Sequence, residues 1–94
     1  MSYKGTVSYE QFESVMHLSN EDNWRHHPVQ PMKRYLPGDK LVTGIVVAGV
    51  MAVYGINMMD LEDGTLRPQL ERKEVERTDY GYYMAMALDG WLVD

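Results

Sequence analysis

One apolar stretch decides the predicted fold, and it reads Leu41-Val42-Thr43-Gly44-Ile45-Val46-Val47-Ala48-Gly49-Val50-Met51-Ala52-Val53-Tyr54-Gly55-Ile56-Asn57-Met58-Met59. It contains no Asp, Glu, Lys or Arg, whereas Lys40 precedes it and Asp60 follows it. At a rise of about 1.5 Å per residue, a helix of this length spans roughly 28 Å, close to the hydrocarbon thickness of a bilayer. The sequence therefore predicts one transmembrane helix over residues 39–60.

The same stretch has a second interpretation, as a buried strand or hairpin of a soluble binding module. Its many valines and the central Gly49 are typical of strands buried on both faces. The span is preferred because of its length and its charged borders. A soluble fold would also need further apolar strands to cover this one, and the chain offers none of comparable quality.

Small residues recur along the predicted span at spacings of four, four and three positions, at Gly44, Ala48, Ala52 and Gly55. On a helix these positions share one face. Such a face lets another transmembrane helix approach closely, where van der Waals packing drives association. We therefore expect these four residues to form a helix-packing interface.

Residues 1–38 are predicted to form a short amphipathic helix followed by an extended arm. An extended or disordered lead at residues 1–7 precedes Ser8, whose hydroxyl is predicted to form a capping box with Gln11. Apolar residues then follow at helical spacing as far as Met16. Three prolines within residues 24–38 favour an extended backbone, and Pro37-Gly38 indicates a turn directly before the apolar stretch.

Residues 61–94 are predicted to form a helical tail. An acidic turn at 60–64 leads to a second helix that begins at Arg67-Pro68 and presents a charged, solvated face over residues 71–77. Helix is expected to resume over residues 82–88. The overall prediction is an all-α chain with one transmembrane helix and without an independent globular core.

Aromatic and basic side chains flank the predicted span and are expected to mark membrane borders or docking positions. These residues are Trp24, Lys33, Arg34, Tyr35, Pro37, Lys40, Tyr82, Tyr83 and Trp91. The C-terminal aromatic cluster, which includes Tyr80, could also line a redox or quinone pocket. An interface with a larger protein or with lipid headgroups is preferred, because exposed apolar clusters on so small a flank need a partner.

Composition argues against several functions. The formal net charge is −5 with a pI near 5.0, which gives no indication of nucleic acid as a partner. The chain has no cysteine. His17, His26 and His27 lie near Glu21 and Asp22, but adjacent histidines in a proline-rich arm lack fixed metal-binding geometry. We therefore expect no enzyme, no metal, no cofactor and no small-molecule substrate.

The positive residues nearest the span indicate its orientation. Lys33, Arg34 and Lys40 lie on its N-terminal side, whereas Arg67 is the nearest basic residue beyond it. Because positive residues favour the cytoplasmic or matrix side, the N-terminus is predicted to lie there.

The segment Met32-Lys33-Arg34-Tyr35-Leu36-Pro37-Gly38, followed by a stretch that includes Tyr54-Gly55, resembles a known family. It is similar to the GRIM-nineteen accessory subunit of mitochondrial NADH:ubiquinone oxidoreductase, complex I. The resemblance covers roughly residues 28–88, including a charged segment at 71–77 and an Ala- and Met-rich segment at 84–88.

This resemblance implies a single-pass protein of the mitochondrial inner membrane with its N-terminus in the matrix. It implies a non-catalytic role that braces the membrane arm of complex I, with lipid and other membrane subunits of a large hetero-oligomeric complex as partners. The alternatives are an accessory subunit of complex III, complex IV or ATP synthase, and a membrane-bound assembly or regulatory factor.

Overall fold

The computed structural model describes residues 8–61 and 65–94, and it contains a five-stranded antiparallel sheet with helices packed around it. The helices are α1 (Tyr9–Ser19), α2 (Leu66–Leu70) and α3 (Tyr83–Leu88), with 3-10 turns at Glu21–Asn23 and Met58–Asp60. The strands are β1 (Val29–Leu36), β2 (Lys40–Val47), β3 (Ala52–Tyr54), β4 (Arg77–Asp79) and β5 (Leu92–Val93). Their order across the sheet is β4-β3-β2-β1-β5.

The apolar stretch is therefore a pair of strands rather than a membrane helix. Residues 40–47 form β2, a turn follows, and residues 52–54 return as β3. Gly49 lies in that turn with a φ of +81°, a conformation that glycine adopts without steric cost. Among the described residues, no helix combines the length and the apolar character needed to cross a bilayer. The predictions of an all-α fold, of a transmembrane helix over 39–60 and of a single-pass inner-membrane location are wrong.

Burial on both faces of the sheet explains why the stretch has no polar alternation. Val46 and Val53 pack in one cluster, together with Leu18 of α1 and Met86 of α3. Ile45 belongs to a second cluster on the opposite face. A strand covered on both faces needs apolar residues at every position, and so does a helix in lipid. Each such fully buried aliphatic side chain contributes roughly 1.5–3 kcal/mol.

The N-terminal helix and the first turn agree with the sequence-based predictions. Ser8 Oγ accepts a hydrogen bond from the Gln11 N–H at 3.1 Å, and Gln11 Oε1 accepts from the Ser8 N–H at 2.8 Å. The capping box is thus confirmed. The turn at Pro37-Gly38 is also confirmed, and it joins β1 to β2 in a register that pairs Leu36 with Lys40.

Other elements of the structure differ from those predicted from the sequence. The extended arm contains β1, which lies between β2 and β5 in the sheet and buries Met32 completely. The prediction of a charged helix over residues 71–77 is wrong, since α2 ends at Leu70 and Arg77 begins β4. The predicted lead at 1–7 and most of the predicted acidic turn at 60–64 lie outside the described residues.

Candidate functional site

An open groove of about 750 Å³ lies on the second face of the sheet, between the β2–β3 turn and α2. The aliphatic side chains that form its floor come from both sides of the groove. They are Val47, Val50, Leu66, Leu70 and Val75, each partly buried against the second core cluster. We call this feature the basic groove, because cationic side chains line it as well.

Helix α2 shapes one wall of the groove despite its short length. Pro68 lies in the first turn, where a missing backbone N–H leaves no intrahelical hydrogen bond unmade. Leu66 and Leu70 are four residues apart, so they share the face that turns toward the sheet. Arg67 lies on the exposed side of the same helix. The local sequence therefore separates an aliphatic inner face from a cationic rim.

Four of the nine Lys and Arg residues of the chain line this groove. They are Arg67, Arg72, Lys73 and Arg77, and Glu71 is the carboxylate among the lining residues. Within the part of the chain that the structure describes, Arg67 and Lys73 form no ion pair. Arg72 Nε lies 3.7 Å from Glu74 Oε1, and Arg77 Nη2 lies 2.8 Å from Asp79 Oδ1. The positive charge that the groove can offer an anionic group therefore comes mainly from Arg67 and Lys73.

Arg77 and Tyr54 form a fixed pair at one side of the groove. The two residues are opposite each other across β4 and β3. The guanidinium carbon of Arg77 lies 5.3 Å from the Tyr54 ring centroid, and its Nη1 donates to the phenol oxygen at 3.0 Å. Asp79 Oδ1 accepts from Nη2 of the same guanidinium at 2.8 Å. Arg77 is therefore held in place, whereas Arg67 and Lys73 remain available for a ligand.

The four predicted helix-packing residues do not all lie on one face of the sheet. Gly44 is buried beside Trp91, and Ala52 is buried on the opposite face. Ala48 lies in the β2–β3 turn, where its N–H donates to the Pro28 carbonyl at 2.8 Å. The Gly55 N–H donates to the Glu76 carbonyl at 2.7 Å. Each of these small residues thus serves a separate local contact.

Two of the predicted membrane-border aromatics belong to the core. Trp24 is 4% exposed, and its indole N–H donates to the His17 carbonyl at 2.9 Å. Trp91 is 6% exposed, with the Arg34 guanidinium carbon 5.0 Å from its ring centroid. Tyr83 packs partly buried against the same cluster.

The remaining predicted border residues lie nearer the surface. Tyr35, Pro37, Lys40 and Tyr82 are exposed, and Lys33 is partly buried on β1. They do not converge on one site.

Tyr80 and Arg34 meet at Asp89, whose carboxylate joins the end of α3 to the sheet. Asp89 Oδ2 accepts from the Tyr80 hydroxyl at 2.5 Å and from Arg34 Nη1 at 3.2 Å. Burial raises the pKa of Tyr80 to about 12, and the hydrogen bond to Asp89 and its negative charge add to that rise. The C-terminal aromatic cluster is therefore tied into the fold by polar contacts rather than assembled as a pocket.

Two of the three histidines have a local side-chain partner. His17 Nε2 lies 2.8 Å from Gln30 Oε1, and His27 Nε2 lies 3.7 Å from Glu21 Oε1. Across residues 8–61 and 65–94, no three or more His, Cys, Asp or Glu side chains are grouped so that they could hold a metal ion.

Sequence reasoning missed the basic groove because it treated residues 71–77 as a solvated helix face. A signal was present: Leu66, Leu70 and Val75 alternate with the four cations along residues 66–77. Only the sheet shows which surface those aliphatic residues cover. No family model, curated protein or solved structure matches this chain. The resemblance to the complex I subunit stays a prediction, but it depended on a membrane span that the described residues do not contain.

Proposed function

We propose that this protein is a non-catalytic binding module that docks an acidic, amphipathic segment of a partner protein in the basic groove. The observation that carries the proposal is the combination of an aliphatic floor with cationic side chains, of which Arg67 and Lys73 form no ion pair with another described residue. Amphipathic helices bind such grooves by inserting apolar residues spaced three and four positions apart. Carboxylates on the same helix would then meet the cationic rim.

Two properties favour an acidic peptide over other anionic partners. The aliphatic floor offers contact area that a nucleic acid backbone would leave unused. Arg67 and Lys73 can pair with carboxylates that are spread along a helix, because they form no ion pair with another described residue.

Fluorescence anisotropy tests the proposal with a designed helical probe that carries leucine at positions i, i+3 and i+7 and glutamate between them. Saturable binding of this acidic probe is expected. Replacing glutamate with lysine in the probe should abolish it. The double variant Arg72→Glu/Lys73→Glu should weaken binding roughly tenfold, which is about 1.4 kcal/mol. The matched control is Lys40→Glu, an exposed charge reversal outside the groove.

Two results would overturn the proposal. One is equal binding of the acidic and basic probes, which would show that the cations do not select the ligand. The other is binding of phosphatidylserine vesicles without binding of the acidic peptide, which would assign the groove to a lipid surface. Circular dichroism of each variant confirms that the exposed substitutions leave the fold intact.

A further inference from the structure

Helix α1 is itself an acidic amphipathic helix with an uncovered apolar stripe. Tyr9, Phe12 and Met16 are 76%, 53% and 58% exposed. Their spacing of three and four residues places them along one face of the helix. The opposite face is the buried one, where Leu18 packs into the core and the Ser14 hydroxyl accepts from the Val93 N–H at 3.0 Å. This helix thus has one face used by its own fold and one left for another contact.

Two carboxylates accompany the stripe. Glu10 and Glu13 are exposed, and neither forms an ion pair with another described residue. We call the stripe and these two carboxylates the α1 surface. Like the basic groove, it combines apolar and charged side chains, but its charges are negative where those of the groove rim are positive. Aliphatic and aromatic side chains would meet an aliphatic floor, and two negative charges would meet a rim on which Arg67 and Lys73 form no ion pair with another described residue.

The two surfaces lie on opposite sides of the sheet. The buried face of α1 packs in the cluster that contains Met32 and Val46. The groove floor, by contrast, belongs to the cluster around Ile45 on the other face. The sheet therefore separates α1 from the groove of the same chain, and one molecule can offer its α1 surface while its groove receives another helix.

We infer that the basic groove binds the α1 surface of a second copy of this chain, so that copies associate head to tail. Because the donor and acceptor surfaces differ, the contact is heterologous and generates a ring if its rotation closes or a filament if it does not. This inference rests on the proposed function, since it names the acidic amphipathic segment that the groove takes up.

Charge-reversed variants of the full chain test the inference by sedimentation velocity. Wild-type protein should associate with rising concentration and dissociate in high salt. Glu10→Lys/Glu13→Lys makes the α1 surface basic, and Arg72→Glu/Lys73→Glu makes the groove acidic. Each variant alone should associate at least roughly tenfold more weakly, because like charges then face each other.

Mixing the two variants is the decisive arm. The basic α1 surface of the first then meets the acidic groove of the second, while the acidic α1 surface of the second meets the basic groove of the first. Association should therefore return only in the mixture. Asp22→Lys and Lys40→Glu, exposed reversals outside both surfaces, serve as controls, and a mixture of them should behave as wild type does.

The failure of this inference is distinguishable from that of the proposed function. A chain that stays monomeric at every concentration, but still binds the acidic peptide probe in its groove, would refute self-association and leave the binding function standing. Association that neither variant weakens would also overturn the inference, since copies would then meet through other surfaces. Loss of peptide binding together with monomeric behaviour would refute both.

Discussion

Replacing Gly44 with alanine should destabilise this protein because three groups already close around that position. A Cβ at residue 44 would lie 2.8 Å from the Tyr54 carbonyl oxygen, 2.9 Å from Val53 Cγ1 and 3.1 Å from the Trp91 ring. The first two distances are shorter than real Cβ contacts. The Tyr54 carbonyl belongs to the backbone of β3, so it cannot move aside as the end of a flexible side chain could.

The expected magnitude follows from two opposing effects. Forcing a methyl group into a packed core costs about 1–3 kcal/mol. Replacing glycine also restricts the unfolded chain, which raises the free energy of unfolding by about 0.4–1 kcal/mol. The net loss in the free energy of unfolding is then roughly 1–2 kcal/mol. For a domain of this size, each kcal/mol lowers the midpoint of thermal unfolding by about 4–8 °C.

Thermal and urea unfolding, followed by circular dichroism, measure this loss. The matched control is Gly81→Ala, because a Cβ at Gly81 meets nothing within 4 Å. The control should be neutral or slightly stabilising. If Gly44→Ala unfolds at or above the wild-type midpoint, as the control does, the close packing of β3 and Trp91 over Gly44 would be refuted.

Two further predictions concern buried polar groups. Ser14→Ala should lower the free energy of unfolding by about 1–3 kcal/mol, because it leaves the partly buried N–H of Val93 without its acceptor. Urea unfolding measures this loss, and Ser19→Ala, an exposed substitution on the same helix, should be neutral. Tyr80 should make the stability of the protein sensitive to alkali, because its pKa of about 12 in the folded protein exceeds the ordinary value of 10. Its stabilising effect is therefore complete below pH 10 and is lost as the pH rises toward 12. Tyr80→Phe should flatten that part of the stability profile, and an unchanged alkaline slope in the variant would contradict the assignment to Tyr80.

The sequence predicted local elements well where the signal itself is local. The Ser8–Gln11 capping box needs only four consecutive residues, and the turn at Pro37-Gly38 follows from the backbone limits of those two residue types. Helix α3, at Tyr83–Leu88, also lies within the helix predicted over residues 82–88. These features depend on neighbours along the chain, so no tertiary contact was needed to infer them.

The candidate site was less accessible to sequence reasoning. Arg72 and Lys73 were interpreted as a solvated face, because a run of charges does not indicate what lies beside it. The groove exists only because α2 brings Leu70 against the face of the sheet that Val47 lines. Its cations come from a single segment, residues 67–77, but its floor combines that segment with strand β2 and the β2–β3 turn.

The sequence alone indicates that an uncharged stretch as long as residues 41–59 buries most of its apolar side chains, although Leu41, Met51 and Met59 are exposed in the structure. It could not determine what excludes the water. A helix surrounded by lipid and a hairpin covered on both faces by the same chain demand the same apolar composition. The tertiary structure decided between them, because α1, α3 and the segment around α2 cover the two faces of β2 and β3.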